Sequence, residues 1–118
     1  MINKLNVICD YDGCFHKLIP FLEAVNIPPV ILTGRPPSEE AKTLKELKGI
    51  RFSKLLVYPK DYNSNSFTGE MKNDIAKWKA EMVKILKTNS KITIFIDDDL
   101  TYWMKVKEIN PDVICLLI

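Results

Sequence analysis

Val7-Ile8-Cys9-Asp10-Tyr11-Asp12-Gly13, close to the N-terminus, is the stretch on which the reading of this chain turns. A run of apolar residues enters two carboxylates one residue apart, and a glycine follows. Side chains alternate faces along a strand, so Asp10 and Asp12 are expected to share a face, with Tyr11 on the other. Two like charges held that close are costly unless a cation or a shared proton relieves them. The end of a buried strand has no structural use for such a pair, whereas a metal site or an acid–base pair does.

Outward from this stretch, strands and helices alternate. Leu5–Cys9 reads as a buried strand, followed by a short helix over His16–Val25 with Leu18, Ile19, Phe21, Leu22 and Val25 as its apolar positions. Pro28-Pro29 stops it, and Val30-Ile31-Leu32 forms a second strand ending at Thr33-Gly34-Arg35. Ser38 is placed to cap a helix whose apolar positions are Ala41, Leu44 and Leu47, with Gly49 closing it. Leu55-Leu56-Val57 is the third strand, and the polar stretch Lys60–Thr68 reads as a loop. A longer helix over Asn73–Lys87 carries Ile75, Trp78, Met82, Ile85 and Leu86. Ile92–Ile96 runs into Asp97-Asp98-Asp99, a helix spans Leu100–Ile109, and Val113–Leu117 is the fifth strand. Continuous apolar strands alternating with helices predict an α/β fold: a doubly wound, five-stranded parallel sheet in a three-layer α/β/α sandwich. Residues 1–118 are read as a single domain.

Bulk composition excludes little else. The 17 basic and 15 acidic residues leave no large charged surface that would demand a nucleic-acid partner. Cys9, Cys14 and Cys115 are odd in number and two lie in apolar runs, which points to reduced thiols in a cytoplasmic core. No apolar run approaches the roughly 18 residues of a membrane span, so no membrane partner is expected.

The polar residues fall in one kind of place. Asp10 with Asp12, Thr33 with Arg35, and Asp97–Asp99 each follow the last apolar residue of a strand. In a parallel sheet those positions share one edge, where ligands bind at the switch in strand order. Lys72 lies near the start of the helix leading into the fourth strand. One such carboxylate would say little, because Asp97–Asp99 can be a solvated turn with a helix cap and most lysines of 72–91 a solvated face. Four segments in register say more.

In that order the chain resembles the haloacid dehalogenase superfamily of phosphohydrolases. The strand and Asp-x-Asp-Gly motif is Val7–Gly13, the strand ending in a hydroxyl is Val30–Thr33, and the acidic pair after a strand is Asp97-Asp98. Lys72 stands for the helix-borne lysine, with Lys77 as the alternative. Cys14 stands where relatives usually carry Thr or Val. Neither Cys14–Pro29 nor Tyr58–Glu70 is long enough for a cap domain, which makes this a minimal capless member. Thr33-Gly34-Arg35-Pro36 and Tyr58-Pro59 are similar to the phosphatase domains of polynucleotide kinases.

The resemblance implies a Mg²⁺-dependent phosphatase acting on a phosphomonoester through an aspartyl-phosphate. Asp10 would be the nucleophile and Asp12 the general acid and base, its pKa raised by Asp10 and by partial burial. Asp10, the Asp12 carbonyl and Asp98 would hold the metal, with Asp97 a ligand or a residue orienting the metal's surroundings. Thr33 would donate to the transferring phosphoryl group, Lys72 would offset its charge, and Gly34 and Arg35 would meet substrate. An open crevice suits a small phosphorylated molecule, a nucleic-acid end or a phosphoprotein, or a partner subunit acting as lid. A receiver-like phosphoacceptor and an inactive binding module are the alternatives; the strand ending at Val57 carries no aspartate for the first. His16 reads as a surface residue, Trp78 and Trp103 as core anchors, and Cys14 as a small buried filler.

Overall fold

A computed structural model describes residues 3–118, and the expected alternation is what those residues form. The strands are β1 (Asn3–Cys9), β2 (Val30–Thr33), β3 (Lys54–Val57), β4 (Ser90–Asp97) and β5 (Ile114–Leu117). Between them run α1 (His16–Ala24), α2 (Glu40–Glu46), α3 (Gly69–Leu86) and α4 (Leu100–Ile109). All pairings are parallel, in the order β3-β2-β1-β4-β5; α1, α2 and α4 cross between neighbouring strands, and α3 carries the chain from the edge strand β3 to β4 beside β1.

Both sheet faces are covered, which is why the strands are continuous apolar runs rather than alternating ones. On one face Val7, Cys9, Ile31 and Ile96 pack against Leu18, Ile19 and Leu22 of α1 and Leu47 beyond α2. On the other, Ile8, Leu32 and Phe95 meet Ala80 and Val83 of α3 and Val106 of α4. This is a three-layer α/β/α sandwich. Cys9 and Cys14 are free, buried thiols with their sulfurs 3.4 Å apart. No helix among the described residues is long and apolar enough to cross a membrane.

Several local expectations are corrected. Ser38 does not cap α2: it lies in a 3-10 turn, Pro37–Glu39, and its backbone N–H donates to Asp61 Oδ1 at 2.9 Å. Thr43, rather than Ala41 or Leu44, is the side chain that α2 buries. The long helix starts at Gly69, ahead of Asn73, because Thr68 caps it by accepting from the Met71 N–H. Its buried stripe is Ile75, Ala76, Lys79, Ala80, Val83 and Leu86, so Ile85 faces outward and Trp78 and Met82 flank the contact. The two alanines sit against the sheet where larger side chains would hold the helix away.

Candidate active site

Strand order reverses direction between β1, the central strand, and its neighbour β4. Cys9 pairs with Ile31 on one side and Ile96 on the other, so β1, β2 and β4 end nearly level. Asp10 follows β1 in extended conformation, its N–H donating to the Ile96 carbonyl at 2.9 Å. Asp97 closes β4 and Thr33 closes β2. The crevice outside these ends, about 560 Å³, is lined by Asp10, Asp12, Gly34, Arg35, Asp98 and Tyr102 among others. That is where a doubly wound sheet binds ligands, and the volume suits a small molecule.

Asp10 and Asp12 both reach this crevice, but not by strand alternation. β1 ends at Cys9, and a non-helical kink at Asp12 and Gly13 carries the chain into a turn over Tyr11–Phe15. Asp10 is buried, whereas the Asp12 side chain is 61% exposed, so the partial burial expected of it is absent. Instead Arg35 forks onto it, Nε to Oδ2 at 2.9 Å and Nη2 to Oδ1 at 2.7 Å. Nη1 donates to Thr43 Oγ1 at 2.9 Å and to Glu46 Oε1 at 3.1 Å, and the guanidinium lies 4.7 Å from the Tyr11 ring centroid. The hydrogen bond to Asp12 raises the Arg35 pKa. The guanidinium expected to meet substrate is therefore engaged within the protein. Gly34 is also committed, its carbonyl accepting from the Tyr62 hydroxyl at 2.6 Å.

Gly13 is required for two reasons. Its φ is +72°, and a Cβ there would lie 2.3 Å from Asp98 Oδ2. Gly13→Ala should lower stability by roughly 1–3 kcal/mol and displace Asp98, which thermal melting and metal titration would read. An unchanged melt with unchanged metal affinity would mean that the turn tolerates a side chain.

The lysine at the site is Lys79, not Lys72 or Lys77. Its side chain is 0% exposed, and Nζ donates to Asp10 Oδ1 at 2.7 Å and Asp97 Oδ2 at 3.0 Å. It also lies 4.4 Å from the Tyr102 ring centroid. Burial alone would pull its pKa down, but the two carboxylates outweigh burial and raise it. Lys72, one turn from the start of α3, pairs instead with Asp99 Oδ2 at 2.9 Å, and Lys77 is exposed. The sequence carried the signal: Lys79 stands on the helix stripe of Ile75, Val83 and Leu86, where a lysine is out of place unless paired.

The three aspartates at the end of β4 and just beyond it have separate tasks. Asp97 is fully buried; Oδ2 takes Lys79 and Oδ1 accepts from the Asp99 N–H at 2.9 Å. Asp99 Oδ1 caps α4 by accepting from Thr101 and Tyr102. Asp98 is exposed and forms no ion pair among the described residues. Burial pushes the Asp10 carboxyl up to about 7, with Lys79 pulling against it; burial raises Asp97 as well. One oxygen each from Asp10, Asp97 and Asp98 can be chosen within 4.8 Å of one another. An all-oxygen donor set at an open crevice fits a hard divalent cation that keeps several waters. Asp10, whose Oδ2 has no partner among the described residues, and Asp98 are the better placed; both Asp97 oxygens already accept hydrogen bonds. Thr33 is buried, its Oγ1 accepting from the Arg35 N–H at 3.1 Å. His16 is exposed and stands 3.3 Å from the Tyr11 hydroxyl.

No family model and no curated protein matches the chain. Among solved structures, the C-terminal domain of a hydrogenase from Pyrococcus furiosus superposes with a TM-score of 0.67 at 16% identity. That match spans 98% of this chain and 92% of the other. A chain of the Pnkp1/Rnl/Hen1 RNA repair complex gives 0.65 at 15% identity, over 98% of this chain and 42% of that one. These likenesses show the fold. The chemistry rests on the residues themselves.

Proposed function

We propose that this chain is a Mg²⁺-dependent phosphoric monoester hydrolase, a capless relative of the haloacid dehalogenase phosphohydrolases that works through an aspartyl-phosphate. The observation that carries the reading is the buried Lys79 bridging Asp10 and Asp97 at the strand-order switch, with Asp98 beside them. A buried ion bridge of this kind is expensive to build, and its place at a ligand-binding edge favours function over stability. The fold likeness to a chain of an RNA repair complex is compatible with phosphate chemistry.

In this mechanism Lys79 holds Asp10 Oδ1, so Oδ2 is the oxygen that attacks phosphorus. A bond forms from Oδ2 to phosphorus as the bond from phosphorus to the leaving oxygen breaks. Asp12 gives that oxygen its proton, and then takes one from the water that releases inorganic phosphate and restores the Asp10 carboxylate. Asp12 must first turn off the Arg35 guanidinium, which here holds both of its oxygens. Thr33 keeps a hydroxyl proton to donate to the phosphoryl group. Mg²⁺, held by Asp10, Asp98 and the Asp12 carbonyl, would supply positive charge at the phosphoryl oxygens. Hydrolysis of p-nitrophenyl phosphate tests the reading: activity should require Mg²⁺ and vanish with chelator. Equal rates with and without the metal, or none under any condition, would sink it.

A further inference from the structure

The segment between β3 and α3, expected as a plain polar loop, is built around aromatic rings. The Tyr62 hydroxyl holds the Gly34 carbonyl in the turn after β2. Its ring lies 5.6 Å from Phe67 and 6.2 Å from Tyr58 between centroids, and Tyr58 meets Trp78 edge-on at 5.7 Å. Asp61 is tied to the Ser38 N–H, the Tyr58 hydroxyl donates to Asp74, and Asn63 with Ser66 closes a reciprocal capping box over Ser64–Ser66. The segment is thus pinned at several points, and what it presents at its edge is Phe67, 42% exposed. A lone exposed phenylalanine would be ordinary. Phe67 and Tyr62, however, line the same crevice as Asp10, Asp12 and Asp98.

Charge decides what those rings can be for. Five carboxylates line the crevice, from Asp10, Asp12, Glu39, Asp98 and Asp99. Arg35 is the only cation among the described lining residues, and its guanidinium is already committed to Asp12, Thr43 and Glu46. When Asp12 turns to the leaving oxygen, Thr43 and Glu46 still hold Arg35 through Nη1, so past the phosphate an uncharged part of the leaving group meets mainly the aromatic surface of Tyr62 and Phe67. We propose that Phe67 and Tyr62 form a stacking subsite for a planar ring on the leaving-group side of the phosphomonoester, an aryl ring or a nucleobase. The proposal rests on the phosphatase reading above and names the substrate class of that site. Stacking on an aromatic side chain is tolerant of ring identity, so the subsite selects for a ring rather than for one base.

A matched pair of substrates tests it. Adenosine 5′-monophosphate and ribose 5-phosphate release the same kind of primary alkoxide and differ by the base. Wild type should turn over the nucleotide with kcat/KM roughly tenfold or more above the sugar phosphate, the scale one stack supplies. Phe67→Ala should bring that ratio to within about threefold. Phosphotyrosine separates the two ring sources: a Phe67-dependent advantage for it but not for the nucleotide assigns the ledge to aryl rings, and the converse to bases. Equal kcat/KM for the matched pair in wild type, with no Phe67-dependent use of phosphotyrosine, overturns the proposal, as does a ring preference that survives Phe67→Ala. Calorimetric binding of the same pair to Asp10→Asn protein gives the ring preference without turnover. A chain inactive on every phosphate ester but still binding the nucleotide through Phe67 would refute the phosphatase reading and keep the ledge.

Discussion

Lys79→Met should lower the stability of this protein by about 3–5 kcal/mol, the range for removing one partner from a buried ion bridge. Methionine keeps the length and most of the volume of the side chain, so packing changes little. What changes is that Asp10 and Asp97, both buried, lose the cation that Nζ places at 2.7 and 3.0 Å. For a chain of this size the melting temperature should fall by more than about 10 °C. The carboxylates can escape the penalty by taking up protons, so the loss should be smaller at pH 5 than at pH 8. Lys77→Met, at an exposed position on the same helix, should stay within about 0.5 kcal/mol. Adding Asp97→Asn to Lys79→Met should recover part of the loss, because one of the two stranded charges is gone. A Lys79→Met protein that melts within a degree or two of wild type would show that the bridge is not what the fold depends on there.

Asp10→Asn should separate stability from activity. The substitution removes the attacking oxygen of the proposed mechanism, and Mg²⁺-dependent phosphatase activity should drop by at least about a thousandfold, which p-nitrophenyl phosphate hydrolysis would read. Stability without metal should rise, because a buried carboxylate beside Asp97 and Asp98 is replaced by a neutral isostere that can still accept from Lys79. The sign with pH follows from the shift. Burial carries the Asp10 carboxyl from an unfolded value of 3.8 up to about 7, so the folded state keeps a proton that the unfolded chain has released. Below about pH 4 both states are protonated and the variant gains nothing. Through the interval up to pH 7 wild type loses stability that Asp10→Asn keeps, and the gain in melting temperature is full above it. Mg²⁺ should narrow that gap by stabilising wild type more than the variant. A variant that melts below wild type at pH 8 without metal would mean that Asp10 is held by more than the structure shows.

The two substitutions act on residues that the sequence disclosed unequally. Asp10 stood out because a carboxylate directly after a continuous apolar strand has few structural uses, and Asp97-Asp98 after β4 repeated the pattern. Asp12 was legible as a residue of the crevice but not in its conformation. Alternation presumes that the strand continues, and β1 ends at Cys9. The partner of Asp12 lies 23 residues away on a different strand end, a pairing that no local pattern records. Lys79 was missed for a related reason. Lys72, Lys77, Lys79 and Lys84 all lie on α3, and composition cannot rank them. Only the rotational phase of the helix does so, and that phase is set by which stripe packs on the sheet. Had the stripe been drawn through the small residues Ala76 and Ala80 rather than through Trp78 and Ile85, Lys79 would have fallen inside it.

The sequence by itself determined the layered α/β architecture, the five parallel strands and the edge at which Asp10, Thr33 and Asp97–Asp98 gather. Periodicity and strand ends are local properties, written in consecutive residues. Tertiary structure alone decided that Lys79 bridges Asp10 to Asp97, that Arg35 closes on Asp12, and that Phe67 stands in the crevice wall. Each of these joins residues distant in the chain, and burial rather than spacing chooses which of several chemically equivalent side chains makes the contact.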